Sequence, residues 1–154
     1  MMKAAIAAAT TAILIFANGT LAAAQDPATQ MKPVTLAFEH YEAVRVALSN
    51  DKLADVAPHA KQLATQIPAV GGDQAKKAVD QLAAAKTIED ARTHFGELST
   101  VLVPIFQAEA IPGTTAYMCS MKNKPWVQKG DKVENPYYGQ AMLTCGTALP
   151  PKSK

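Results

Sequence analysis

The feature that most constrains the fold is a set of four apolar stripes, in which apolar residues recur at steps of three and four between Val34 and Ile105. A repeat of this kind places its apolar members on one face of an α-helix. The connections between the stripes are only a few residues long, so we predict a mainly α fold, an antiparallel four-helix bundle over residues 34–110. In chain order, the stripes are Val34, Phe38, Tyr41, Val44 and Leu48; Leu53, Val56, Ala60, Leu63 and Ile67; Ala75, Ala78, Val79 and Leu82; and Ile88, Ala91, Phe95, Leu98, Leu102 and Ile105.

Cap and breaker residues set the expected ends of these helices. Pro58 lacks a backbone N–H, so it is expected to kink or delay the second helix, and Pro68 with Gly71-Gly72 is expected to end it. Thr87, three residues before Asp90, is typical of a cap that opens the fourth helix.

The residues after the bundle have a different character. Thr114 to Tyr117 favour an extended strand, and scattered proline and glycine predict turns beyond it. One turn is expected to start at Asn135-Pro136, with Tyr137 and Tyr138 locking it by packing and hydroxyl hydrogen bonds. We therefore expect residues 111–149 to form a Cys/Met-rich segment of short strands and turns packed on the bundle. Residues 150–154 lack apolar side chains that could dock them and are predicted to be a tail.

The first residues predict export. Lys3 precedes an apolar run from Ala4 to Ala17, and small residues stand at Ala22-Ala23-Ala24, which is typical of a secretory signal peptide over residues 1–24. The run of about 14 residues is shorter than the roughly 20 that a membrane span needs. We expect a periplasmic mature chain without membrane insertion, beginning with a polar linker at residues 25–33.

Sulfur side chains concentrate near the C-terminus. Both cysteines, the single tryptophan, three of the four tyrosines and three of the six methionines lie between Tyr117 and Cys145. Copper(I) and silver(I) prefer thiolate and thioether sulfur, whereas a closed zinc site requires about four cysteine or histidine donors. The pattern therefore predicts a soft-metal site. Its candidate ligands are Met118, Cys119, Met121, Met142 and Cys145.

A structural explanation of the same residues stays open. Two cysteines in an exported domain most often form a disulfide. A bridge from Cys119 to Cys145 would close a loop of about 27 residues and stabilise the fold by roughly 3.5 kcal/mol. The methionines would then fill gaps in the core beneath aromatic residues.

Other functions have less support in the sequence. The 15 lysines and arginines include Lys3 of the predicted leader, which leaves 14 against 13 acidic residues and no electrostatic case for binding nucleic acid. His40, His59 and His94 fall on three different predicted helices without metal-ligand spacing, so we interpret them as helix-surface or half-buried residues. No catalytic motif is present, and we do not expect an enzyme.

Three stretches of the C-terminal segment form a distinctive pattern: Tyr117-x-Cys119-x-Met121, Trp126-Val127-Gln128, and Asn135-Pro136-Tyr137-Tyr138-Gly139-Gln140-Ala141-Met142-Leu143-Thr144-Cys145-Gly146. Together they resemble the signature of an uncharacterised periplasmic domain family. Members of that family occur alone or fused to the C-terminus of copper and silver efflux adaptors of the membrane-fusion type. The helical part is also similar to this family, at Tyr41 and in the Phe95-x-x-Leu98-Ser99 pattern.

The resemblance implies heavy-metal binding through Cys119, Met121, Met142 and Cys145. Met118 joins this set only because of its proximity in sequence. The family commonly has proline between its first cysteine and methionine, where this chain has Ser120. A different turn at that point would alter the orientation of the ligands.

Two main functional hypotheses follow. The first is a periplasmic copper(I) or silver(I) binding protein that buffers the ion or passes it to an efflux system, with a membrane-fusion subunit as a possible partner. The second is a disulfide-stapled helical interaction module, accessory to an envelope efflux complex. A thiol oxidoreductase is weaker, because the cysteines lack the Cys-x-x-Cys arrangement.

Overall fold

The structure is a computed structural model that describes residues 31–151. The predicted leader (1–24), residues 25–30 of the predicted linker and residues 152–154 of the predicted tail lie outside the described residues. Within residues 31–151, no helix is both long enough and apolar enough to cross a membrane.

Four helices make up most of the described chain, which confirms the predicted mainly α fold. They are α1 (Pro33–Ser49), α2 (Leu53–Val70), α3 (Gly72–Ala84) and α4 (Ile88–Glu109). Each helix packs on the next one along the chain, and α4 also contacts α1 and α2. The bundle is thereby closed around the apolar stripes.

Both ends of α4 follow local chemistry. The hydroxyl of Thr87 accepts a hydrogen bond from the N–H of Asp90 at 3.1 Å, which confirms the predicted cap of α4. At the other end of α4, Ala110 takes a left-handed conformation with φ of 53°, and the helix stops there as expected.

Pro58 does not delay α2, and Pro68 does not end it. The helix begins at Leu53, before Pro58, and continues through Pro68 to Val70. The reason is tertiary packing: the stripe that includes Val56 and Ile67 is buried between α1 and α3, and this burial outweighs the lost backbone hydrogen bonds. Of the two expected terminators, only Gly71-Gly72 ends the helix.

Aromatic side chains fill the contact between α1 and α4. The ring of Tyr41 stacks on Phe95, with centroids 4.8 Å apart, and meets Phe106 edge-on at 5.2 Å. The Tyr41 hydroxyl lies 2.7 Å from the hydroxyl of Ser99, so the one polar group in this cluster has a partner. All four residues are fully or almost fully buried.

A small antiparallel sheet follows the bundle. Its strands are β1 (Thr114–Cys119), β2 (Lys124–Lys129) and β3 (Thr147–Ala148), arranged in the order β2-β1-β3. A short 3-10 helix, Gly139–Met142, lies in the connection between β2 and β3. The extended structure predicted for 114–117 is confirmed and continues to Cys119.

Strand β2 faces the bundle along its outer edge. Residues two apart in a strand direct their backbone groups to the same side, and side chains contact the backbone of Pro125 and of Lys129 on this side. The hydroxyl of Tyr137 donates to the Pro125 carbonyl at 2.5 Å. The N–H of Lys129 donates to Glu42 at 3.3 Å.

Two buried arginines join the bundle to the loop after β2. Arg45 of α1 donates to both carboxylate oxygens of Glu42 at 2.8 and 2.9 Å, and to the carbonyl of Glu134 at 2.9 Å. Arg92 of α4 donates to the carbonyl of Pro136 at 3.1 Å and pairs with Asp51. The C-terminal segment is thus held on the bundle by directional bonds.

Candidate metal centre

Cys119 is the last residue of β1 and is completely buried. Side chains alternate between the two faces of a strand, so Cys119 shares a face with Tyr117. Tyr117 is paired with Trp126 of β2, and their rings stack with centroids 5.3 Å apart. The thiol therefore lies on the aromatic face of the sheet.

The segment that carries Cys145 lies on the opposite side of β1 from β2, close to the end of β1 that carries Cys119. Thr147 of β3 is paired with Met118, so extending that register places Gly146 across from Cys119 and Cys145 one residue further. Cys145 is partly exposed, and both cysteines are free thiols in the structure. The end of β1 and the start of β3 thus bring the two cysteine segments together.

The side-chain amide of Asn135 links the two segments directly. Its nitrogen donates to the sulfur of Cys119 at 3.5 Å and to the backbone carbonyl of Cys145 at 2.6 Å. Its oxygen accepts from the N–H of Tyr137 at 2.7 Å, which forms the turn predicted at Asn135-Pro136. Sequence reasoning assigned Asn135 to that turn only and missed its contact with the thiol.

Met142 belongs to the same turn as Cys145. It ends the short 3-10 helix, its carbonyl accepts from the N–H of Cys145 at 3.1 Å, and its side chain is partly exposed. Met142 and Cys145 are therefore close through the backbone, as their spacing of three residues implies.

Met118 and Met121 lie apart from the corner of the fold where the Cys119 and Cys145 segments meet. Met118 precedes Cys119 in β1, so its side chain leaves the opposite face of the strand. Met121 lies in the turn between β1 and β2 and is 58% exposed. The structure thus gathers Cys119, Cys145 and Met142 at one corner, places Met121 on an open turn, and directs Met118 away.

The aromatic face is covered by the loop that follows β2. The centroid of the Tyr137 ring lies 6.0 Å from the ring centroid of Phe95 and 6.0 Å from that of Trp126. Burial raises the pKa of the Tyr137 phenol well above its usual value, so the group remains neutral at ordinary pH. Sequence reasoning predicted a turn-locking role for Tyr137 and Tyr138, and Tyr137 occupies such a place.

Gln128 is a second buried amide beneath this loop. Its oxygen accepts from the indole N–H of Trp126 at 2.9 Å and from the N–H of Glu134 at 3.1 Å, and its nitrogen donates to the carbonyl of Lys132 at 2.7 Å. No contact of Gln128 with a cysteine is part of this network. Gln128 fixes the loop over Trp126. The only sequence signal for this role is a polar residue next to the apolar pair Trp126-Val127 in the strand.

Charged and imidazole ligands do not cluster in the described part of the chain. Within residues 31–151, no three side chains of histidine, cysteine, aspartate or glutamate come together as a metal site. His40, His59 and His94 are each partly exposed, and the ring of His94 lies 3.1 Å from the carboxylate of Glu97.

Comparison with known proteins adds information on the helices and not on the sulfur residues. No curated protein and no solved structure matches the chain. A family model described as a protein of unknown function, DUF3347, matches residues 37–112. The matched region runs from α1 past the end of α4 and stops before Cys119. It supports the assignment of the helical region to this domain family of unknown function.

Proposed function

We propose that the protein binds copper(I) or silver(I) in the periplasm and buffers the ion or passes it to an efflux system. The observation that carries the proposal is the approach of the Cys119 and Cys145 segments, which are joined through one amide of Asn135. Two strips of sulfur residues that are far apart in sequence thereby come to one corner of the fold.

The donor chemistry favours a soft ion. Cys119 and Cys145 would bind as thiolates, so one monovalent cation would displace two thiol protons and leave the site with one net negative charge. Met142, in the turn that carries Cys145, is the nearest thioether along the chain. Met121 is exposed and could meet the ion first, at the surface. Met118 leaves the other face of β1 and is the weakest of the five candidates.

Exchange, rather than catalysis, is the proposed mode of action. Methionine thioethers are adaptable ligands that need no deprotonation, and the exposed Met121, two residues after Cys119 along the chain, would offer the ion a first contact at the surface. The periplasmic location rests on the leader predicted at residues 1–24. A membrane-fusion efflux subunit as recipient rests on the resemblance of the C-terminal segment.

A competition assay tests this proposal. The full chain, processed by its host and purified under reducing, oxygen-free conditions, is titrated with copper(I) against a chromogenic chelator. We expect tight binding that falls by more than about 100-fold when Cys119 and Cys145 are both replaced by serine, which exceeds the 10- to 100-fold typical of outer-shell changes.

Methionine variants sharpen the assay. Met142→Leu and Met121→Leu should each weaken binding, whereas Met31→Leu should leave it unchanged, because Met31 is a 48% exposed methionine outside the C-terminal segment. Failure of the reduced chain to compete with the chelator for copper(I) would reject the metal-binding function.

The second candidate is a disulfide-stapled interaction module, which the same approach of Cys119 and Cys145 also favours. In that case the cysteines would be bridged in the mature protein and the methionines would serve packing. Counting free thiols in protein purified without reductant distinguishes the two. A full bridge, together with no copper(I) binding before or after reduction, would favour the module.

A further inference from the structure

We propose that Asn135 is the positioning residue of the thiol pair: its amide holds the Cys119 sulfur beside the Cys145 backbone, so that both thiols act on one ligand. This inference rests on the proposed metal-binding function. It assigns a specific role to a residue that is itself not expected to bind the ion.

Burial and hydrogen bonding make the Asn135 side chain a fixed donor. The residue is fully buried, and every polar atom of its amide has a partner at the distances given above. An amide held at both ends cannot rotate to exchange its oxygen and nitrogen without losing these bonds. The two N–H bonds therefore remain directed toward Cys119 and Cys145.

The backbone of Asn135 fixes the same geometry from behind. Its N–H donates to the carbonyl of Leu143 at 2.7 Å, and its carbonyl accepts from the N–H of Gly139 at 3.2 Å. These bonds join it to both ends of the turn that carries Met142. Asn135 is consequently anchored to the cysteine-bearing segment independently of its side chain.

An amide donor suits a sulfur ligand in a dry site. An N–H directed at sulfur stabilises the negative charge of a metal-bound thiolate without bringing a further charge into the core. The same geometry favours disulfide exchange. When Cys119 and Cys145 react with oxidised glutathione, one disulfide forms in the protein, one breaks in glutathione, and the two thiol protons end on two glutathione thiols.

The chain offers a matched pair of variants. Asn135→Asp and Gln128→Glu each convert a buried amide to a carboxylate of nearly the same shape, at positions that are 0% and 1% exposed. Both should lower the thermal midpoint of unfolding. Only Asn135→Asp removes a donor from a cysteine, so only this variant should affect the thiols specifically.

Two readouts are compared with the thermal midpoint of the reduced protein. We expect Asn135→Asp to lower copper(I) affinity by about 10- to 100-fold, as outer-shell changes do, and to lower the equilibrium constant for disulfide formation with glutathione by at least about 10-fold. Gln128→Glu should stay within about threefold of wild type in both. If Asn135→Asp does not fold, Asn135→Ser, which keeps an acceptor for Tyr137 without a buried charge, replaces it.

The outcomes separate this inference from the proposed function. If both amide variants change the thiol equilibrium equally for a given loss of stability, Asn135 is only structural and the inference fails. It also fails if the wild-type thiols do not form an intramolecular disulfide at any glutathione ratio. A wild-type chain that binds no copper(I), while Asn135→Asp alone shifts the disulfide equilibrium, rejects the metal function and supports the positioning role.

Discussion

The bundle and the C-terminal segment are stabilised in different ways. In the bundle, apolar stripes meet face to face, and one hydroxyl pair, Tyr41 with Ser99, is the polar contact among the rings at the centre. In the segment, the buried amide of Asn135 joins β1 to the Cys145 backbone, and that of Gln128 joins β2 to the loop that follows it. Apolar packing predominates in the first region, whereas the second combines aromatic packing with specific hydrogen bonds.

This difference teaches where sequence variation is tolerated. Apolar packing accepts exchange among side chains of similar volume, because burial depends mainly on area and shape. A buried polar group accepts almost no exchange, since each lost partner leaves another group unsatisfied. We therefore expect the bundle to withstand conservative changes that the segment and its junction cannot.

The largest effect should come from the junction of the two regions. Arg45→Met leaves Glu42 buried without its cation and removes the bond to the Glu134 carbonyl. Because an unpaired buried charge is strongly unfavourable, we expect the free energy of unfolding to fall by about 3–5 kcal/mol. Urea unfolding followed by the fluorescence of Trp126 measures the change.

An exposed ion pair provides the control for Arg45→Met. Lys76 and Asp80 form a pair along α3 at 2.7 Å with side chains that are 53% and 52% exposed, so Lys76→Met should cost no more than about 1 kcal/mol. Equal costs for the two variants would contradict the distinction between the junction and the surface of the bundle.

A smaller effect is expected inside the segment at Gly146. A Cβ at this position would overlap the edge of the Trp126 ring and lie 3.1 and 3.3 Å from two further ring carbons. Gly146→Ala should therefore destabilise the fold by about 1–3 kcal/mol through overpacking. Thermal unfolding measures this, with Ser120→Ala on an exposed turn as the control, expected within about 0.5 kcal/mol of wild type. No loss in Gly146→Ala would contradict the close packing of Gly146 on the indole.

Alkaline pH should lower the free energy of unfolding gradually, through one buried tyrosine in each region. Burial raises the pKa of the phenols of Tyr41, in the bundle, and Tyr137, in the segment, above the ordinary value of 10.0. The folded state then retains protons that the unfolded state loses, so stability is unaffected below about pH 10. Above that pH it falls by up to about 1.4 kcal/mol per pH unit for each tyrosine.

Urea unfolding at a series of pH values between 9 and 11.5 tests this dependence. Tyr41→Phe should remove the contribution of one tyrosine from the slope of unfolding free energy against pH above pH 10. It also loses the hydrogen bond to Ser99, which lowers stability at every pH. An unchanged slope in this variant would show that ionisation of Tyr41 is not linked to unfolding.

The sequence allowed the bundle to be predicted far better than the candidate site. The periodicity predicted all four helices. Burial of one helix face requires apolar residues, such as Phe38 and Phe95, at steps of three and four along the sequence. The expected stop at Pro68 and the expected delay at Pro58 were wrong, since packing on two neighbouring helices outweighs a local preference.

The candidate site depends on contacts that leave no local pattern. The sulfur residues were visible as a cluster, and the strand at 114–117 was predicted. The pairing of β1 with β3, which brings Cys145 to Cys119, spans about thirty residues and follows no repeat in the sequence. The same holds for Asn135: its turn was predictable from Asn-Pro, whereas its bond to a sulfur 16 residues away required the fold.

The outer edge of β2 has a consequence for assembly. A bare edge strand is a template on which a neighbouring chain can add its own strand. Here the Tyr137 hydroxyl and the Glu42 carboxylate already hydrogen-bond to the backbone of that edge. Because these contacts oppose strand addition at β2, the metal transfer proposed above would use another surface of the molecule, such as the exposed turn at Met121.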